Sequence, residues 1–239
     1  MKLPPIKKYN ERDLVIISQN TIGTFSKVYR CKYGNDSVVC VKKITDTNKA
    51  RILNEIWNLW KCRECPNVVQ ILGYIKPNVI VLENAGENLF EYLSNENIGL
   101  NDRRKIAEQC VEAVKQVNSC GVLHLDVKLD NFVIKNGVVK IIDFGLSQSV
   151  NYIKPVRSGT LGYMSPDMLK VPPVITSKCD LWSVGVVLYE LFALHSPFDN
   201  GSSTRDEIVG RIVNMDIDIN QMECVEYREV VRELMGVVN

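Results

Sequence analysis

Two short stretches of this 239-residue chain concentrate residues that can do chemistry. The run His124-Leu125-Asp126-Val127-Lys128-Leu129-Asp130-Asn131 sets two carboxylates, an ammonium and a carboxamide close together, and Asp143-Phe144-Gly145 begins 12 residues after Asn131. Moving a phosphoryl group needs few covalent helpers but demands placed charge. It needs a carboxylate for the incoming hydroxyl, oxygen ligands for Mg²⁺, and a cation against the developing negative charge. The two stretches contain all three kinds of group.

These residues must be positioned by two kinds of element. Up to about residue 85 the chain reads mostly as strands: Asp13–Ser18, Lys27–Tyr33, Ser37–Ile44, Val69–Ile75 and Val79–Glu83 are rich in β-branched residues and are divided by Gly34-Asn35-Asp36 and Pro77-Asn78. One helix interrupts them. From Asn48 to Lys61, Ile52, Ile56, Leu59 and Trp60 recur at helical spacing, with Thr47 or Asn48 as the cap. After Gly86 the pattern is helical. Ile106, Cys110, Val114 and Val117 form one face of a helix that Asn101 or Asp102 is expected to cap and Gly121 to end. Phe132–Lys135 and Val138–Ile142 flank Asn136-Gly137, a strong hairpin signal. Leu181–Leu194 is apolar almost all round, as a helix buried through the middle of a lobe would be.

In order and spacing, these residues resemble the eukaryotic protein kinases. The first run is similar to that family's H-R-D-L-K-x-x-N catalytic loop, and Asp143-Phe144-Gly145 to its D-F-G metal motif. By that match Asp126 accepts the hydroxyl proton, Lys128 steadies the γ-phosphate, and Asn131 and Asp143 hold Mg²⁺. Val39-Cys40-Val41-Lys42 resembles the V-A-I-K strand, with Glu55, 13 residues on, as the ion-pair partner of Lys42. The glycine-rich loop is the weakest match: aligned through Val28, the family's glycines fall on Thr21, Gly23 and Ser26. The resemblance adds Glu83 and Ala85 to the nucleotide-binding residues. Gly159-Thr160-Leu161-Gly162-Tyr163-Met164-Ser165-Pro166-Asp167 resembles the end of an activation segment, Asp180-Leu181-Trp182-Ser183-Val184-Gly185 the helix that braces the catalytic loop, and Ser196-Pro197-Phe198 the segment after it.

The resemblance covers roughly residues 13 to 235. It implies an α+β, bilobal protein kinase fold occupying 1–239 as a single domain. The N-lobe, about 11–84, is a small antiparallel sheet with one helix, and the C-lobe, about 87–239, is mostly helical. It also implies ATP and Mg²⁺ as cofactors and proteins with Ser/Thr acceptors as substrates, since Lys128 and Thr160 match the serine/threonine pattern. Three departures stand out. Leu125 replaces the arginine that commonly receives an activation-segment phosphate, Asp167 shortens the usual glutamate, and the chain ends before a clear helix carrying that glutamate's arginine partner. The altered glycine loop and trimmed end leave a second reading open, a pseudokinase acting as a binding module. A small-molecule kinase is disfavoured by the activation segment.

Composition adds exclusions. The 29 basic and 28 acidic residues nearly cancel, leaving no global field to attract nucleic acid or an anionic membrane. Met1–Asn10 lacks the apolar run that a secretory leader needs, and Leu181–Leu194 is too short to span a bilayer, so neither export nor membrane insertion is expected. A soluble monomer in the cytosol or nucleus is expected, because the eight scattered cysteines suit a reducing compartment. Cys62-Arg63-Glu64-Cys65 has zinc or redox spacing, but with no second pair and only two histidines it reads as two ordinary thiols at a helix end.

Overall fold

The computed structural model describes residues 2–23, 26–34, 37–46, 48–95 and 98–236, with the side chains of residues 20–23 and 95 excepted. Its N-terminal part is a six-stranded sheet built from β1 (Lys7–Lys8), β2 (Leu14–Gly23), β3 (Ser26–Tyr33), β4 (Ser37–Ile44), β5 (Ile71–Lys76) and β6 (Val79–Glu83), with α1 (Lys49–Lys61) inserted between β4 and β5. The strand order is β1-β5-β6-β4-β3-β2. All pairings are antiparallel except that of the short β1 with β5. β2 runs five residues beyond the expected end at Ser18, because its pairing with β3 continues to Gly23 opposite Ser26.

Asn48 caps α1 through a side-chain oxygen that accepts the Ala50 and Arg51 N–H groups. Thr47, the other expected cap, lies outside the described residues. Ile52, Ile56 and Leu59 are buried, and Glu55 is buried among them.

The remainder, from Glu87 on, is helical around a hairpin. It comprises β7 (Glu87–Asn88), α2 (Leu89–Asn95), α3 (Leu100–Ser119), β8 (Val122–Leu123), β9 (Phe132–Lys135), β10 (Val138–Ile141), β11 (Gln148–Ser149), α4 (Pro166–Leu169), α5 (Ser177–Ala193), α6 (Arg205–Val213) and α7 (Val225–Met235). Asn136 and Gly137 join β9 to β10 with φ of 52° and 77°, the left-handed pair that a two-residue hairpin turn requires. Ile106, Cys110, Val114 and Val117 form the buried face of α3. The cap of α3 differs from expectation: Gly99 occupies it, without a side-chain bond. Asn101 and Asp102 fall inside the first turn, where their oxygens accept from Arg104 and Lys105 three residues on.

α5 is buried along almost its whole length and ends in the left-handed Leu194. α7 packs closely on it: a Cβ on Gly185 would come within 2.6 Å of Met235 Cγ. The large core runs from Ile44 and Ile56 beneath the sheet to Met222 and Met235 at the far end, while Cys31, Val39, Val41, Ile75 and Val81 form a small second cluster on the other sheet face. Among the described residues no helix is long and apolar enough to cross a membrane.

Candidate active site

Alternation along β4 separates its two faces. Val39 and Val41 enter the small cluster, whereas Cys40, Lys42 and Ile44 face the cleft between sheet and helices. Lys42 is 6% exposed. Its ammonium lies 2.6 Å from Glu55 Oε1 and 2.7 Å from Asp143 Oδ1. Burial alone would strip the proton from such a lysine, but the two carboxylates reverse this and hold the group above its ordinary range. Burial lifts the Glu55 carboxyl, with the Lys42 ammonium pulling the other way.

Asp143 has φ of 62°, and its Oδ1 also accepts the Gly145 N–H at 3.1 Å. Burial would raise this carboxyl. The Lys42 charge and hydrogen bond, helped by Gly145, outweigh it and bring the value to about 2. Lys42 is therefore held charged and Asp143 ionised, with Asp143 Oδ2 left for a further partner.

A second cluster forms on the loop between β8 and β9. Its anchor is Asp180, fully buried on α5. One oxygen of Asp180 accepts the His124 N–H and Asn118 Nδ2, and the other accepts the Leu125 N–H, all at 2.8 Å. Leu125, at φ 63° and 3% exposed, turns the chain so that Asp126 faces the cleft. Asp126 Oδ1 then accepts both the N–H and the hydroxyl of Thr160 at 2.9 Å. Lys128 Nζ donates to Thr160 Oγ1 at 2.9 Å and sits 3.7 Å from Asp126 Oδ2. Asn131 Nδ2 donates to the Asp126 carbonyl at 2.7 Å and to Oδ2 at 3.1 Å, leaving its amide oxygen for another ligand. Gly159 permits this approach: at φ 112°, a Cβ there would stand 2.5 Å from the Leu125 carbonyl oxygen.

Both clusters line one cleft of about 1370 Å³. Ser26, Val28 and Ala85 also line it, and so do Leu82, Val133 and Ile142. Nothing in the sequence singled out those last three, because an apolar residue in a strand reads as core whichever face it occupies. Glu83 borders the cleft, but its carboxylate is taken by Lys140 Nζ at 2.5 Å and the Gln70 N–H at 2.8 Å, so what it can offer a ligand is main chain. Thr21 and Gly23 lie in β2. The Thr21 side chain, and residues 24 and 25 after the strand, lie outside the described residues.

Farther along, Asp167 pairs with Lys170 at 2.6 Å. Arg157 donates to the Leu169 carbonyl at 2.6 Å. Tyr163 donates its hydroxyl to Glu190 on α5 at 2.8 Å, and burial lifts the Glu190 carboxyl to about 7 despite that bond.

The sequence profile of the protein kinase domain matches residues 18–236. Among curated relatives, a probable serine/threonine-protein kinase SIS8 of Arabidopsis thaliana is 31% identical over 80% of this chain and 20% of its own length. CBL-interacting protein kinase 31 of Oryza sativa subsp. japonica is 34% identical over 74% of this chain and 43% of its own. A probable serine/threonine-protein kinase 2 of Plasmodium falciparum is 30% identical over 89% of this chain and 44% of its own. The chain thus spans less than half the length of each of these relatives. With a profile match across nearly its whole length and relatives of serine/threonine type, the chain belongs to the protein kinase family.

Proposed function

We propose that this chain is an active protein kinase that transfers the γ-phosphoryl group of Mg·ATP to serine or threonine hydroxyls of proteins. The observation that carries this reading is the placement of Lys42, between Glu55 and Asp143, on the same cleft as Asp126. The residues present fit Mg·ATP. Asp143 Oδ2 and the Asn131 amide oxygen are hard donors, and the apolar Val28, Ala85 and Val133 line a slot suited to a base. Among the described residues no three carboxylate, imidazole or thiol groups converge to hold a metal by themselves, so a cation at Asp143 and Asn131 would share its shell with phosphate oxygens and water. When bound, Mg·ATP supplies the phosphoryl group and a positive charge among the phosphate oxygens.

The chain's own residues do the rest. Lys42, kept charged by two carboxylates, binds and orients phosphate oxygens. Asp126, with one oxygen engaged by Thr160, takes up the proton of the acceptor hydroxyl through the other. Lys128, fixed by Thr160, offers positive charge beside the transferred group. The test is radiolabelled phosphotransfer from Mg·ATP to an array of Ser, Thr and Tyr peptides, with Asp126→Asn alongside. Wild-type labelling of Ser and Thr peptides that falls about 10²–10⁴-fold in Asp126→Asn is expected. Nucleotide binding without turnover by the wild type would instead support the binding-module reading.

A further inference from the structure

Cys62 and Cys65 are three positions apart in sequence, yet the thiol in contact with Cys65 is that of Cys120. Cys62 caps the C-terminus of α1, Cys65 lies in the turn that follows, and Cys120 caps the C-terminus of α3. Cys65 Sγ stands 3.5 Å from Cys120 Sγ, across 55 residues of sequence. Burial, and after it the neighbouring Cys120 and Cys65 thiols, push the Cys62 thiol up. Access then distinguishes the three thiols: Cys62 is fully buried, whereas Cys65 and Cys120 are half-buried.

From this geometry we propose that Cys65 and Cys120 form a reversible disulfide on exposure to peroxide, joining the turn that leaves α1 to the end of α3. The inference is independent of the proposed phosphotransfer. In the first step a thiolate sulfur displaces hydroxide from hydrogen peroxide, giving a sulfenic acid and, after protonation, water. The second thiol's sulfur then attacks the sulfenic sulfur: the S–S bond forms, the S–O bond breaks, and the oxygen leaves as a second water. Two thiols are oxidised and one peroxide is reduced. Burial and the hydrogen bond to Cys120 push the Cys65 thiol up to about 12, so the reaction is slow at neutral pH and accelerates in mild alkali.

The two segments are already tied together around these sulfurs. Gln116, one turn before Cys120, already accepts the Asn67 N–H through Oε1 at 3.1 Å, and its carbonyl lies 4.0 Å from Cys65 Sγ. The disulfide would make covalent a junction that hydrogen bonds hold now. Its consequence reaches the cleft because α1 carries Glu55, and because α3 leads through Gly121 and β8 into the loop bearing Asp126.

The experiment treats the reduced, purified chain with hydrogen peroxide at about pH 8, blocks the remaining thiols by alkylation, digests without reduction and maps crosslinked peptides by mass spectrometry. A predominant Cys65–Cys120 crosslink that dithiothreitol removes is expected. The oxidised chain should unfold several degrees above the reduced one, because the unfolded ensemble gains a closed loop of this length. Cys65→Ser and Cys120→Ser should each abolish that shift, and Cys62→Ala should retain it. Mapping on the wild-type chain decides the matter even if a variant does not fold. A main product joining Cys62 to either neighbour, sulfinic acid without a crosslink, or an unchanged or lowered unfolding temperature after oxidation would each overturn the proposal.

Discussion

The two charged clusters on either side of the cleft are held by opposite means. Asp126 stands on a loop whose main-chain N–H groups are bonded to a buried carboxylate of α5, the most enclosed helix of the molecule. Lys42, Glu55 and Asp143 come from three elements separated by 13 and 101 residues, and they are joined to one another through side chains alone. The helix that carries Glu55 is tied to the far half by three side-chain bonds. Asn54 Nδ2 donates to the Ser147 carbonyl at 2.7 Å, Asn58 Nδ2 to Ser147 Oγ at 3.0 Å, and Lys61 Nζ to Ser149 Oγ at 3.0 Å. The Asp126 cluster is therefore part of the folded core, while the Lys42 cluster depends on where α1 and the segment after Asp143 settle. A site built this way can lose alignment on one side without unfolding on the other.

The largest effect should come from breaking the fixed side. Asp180→Ala leaves two buried main-chain donors and the Asn118 amide without their acceptor, at a cost of about 3–5 kcal/mol in urea unfolding. A loss under ~1 kcal/mol would show that Asp180 does not anchor the loop.

Asn58→Ala probes the adjustable side. It removes one buried hydrogen bond to Ser147 Oγ, worth about 1 kcal/mol in stability. Phosphotransfer should fall roughly tenfold, since misalignment of Lys42 and Glu55 acts on the rate directly. Amide exchange in α1 should quicken while that in α5 stays unchanged; equal quickening in both helices would remove the distinction between the clusters.

Glu190 tests the platform itself through pH. Its carboxyl is raised in the fold to about 7 from an ordinary 4.5, so its contribution to stability is fully present below about pH 4.5 and lost as pH rises through about 7. Glu190→Gln keeps an oxygen for the Tyr163 hydroxyl and cannot ionise. It should raise the unfolding temperature by a few degrees at about pH 8 and leave it unchanged near pH 5. A gain of equal size at both pH values would show that charge is not the cause.

The smallest expected effect is none. Leu125 is buried and offers only its main-chain N–H, already given to Asp180, so the position beside Asp126 has no side-chain donor for a phosphate. Arg157, in the same segment, is engaged at the Leu169 carbonyl. Chain made in bacteria, treated with phosphatase and verified by mass should phosphorylate substrate without a lag. A lag that disappears on phosphorylation of Ser147, Ser149, Tyr152, Ser158 or Thr160 would show that the segment needs a phosphate to order it.

Much of this was legible before any coordinates. Element type along the chain follows from apolar period: Ile52, Ile56 and Leu59, or Ile106, Cys110, Val114 and Val117, can be buried together only on a helix, and Asn136-Gly137 supplies the two left-handed residues a tight hairpin needs. Ends were less legible. Asn101 and Asp102 have side chains suited to a cap, yet ion pairing and hydrogen bonding inside the first turn serve them as well, and α3 starts earlier, at Leu100 with Gly99 as its cap. Cys62-Arg63-Glu64-Cys65 likewise drew attention as a pair, whereas the nearest sulfur to Cys65 belongs to a different helix.

The sequence by itself determined which groups the site can contain, since residue type and order along the strand-helix pattern are local properties. Only the tertiary structure decided which of those groups meet. Asp143 reaches Lys42 from 101 residues away, Thr160 closes on Asp126 from 34, and Asp180 holds the Leu125 main chain from 55. Leu82 and Val133, both in the large core, and Ile142, packed against it, also became cleft walls through the packing of two layers against each other. Contacts of that range depend on how whole elements stack, and no period within a dozen residues encodes it.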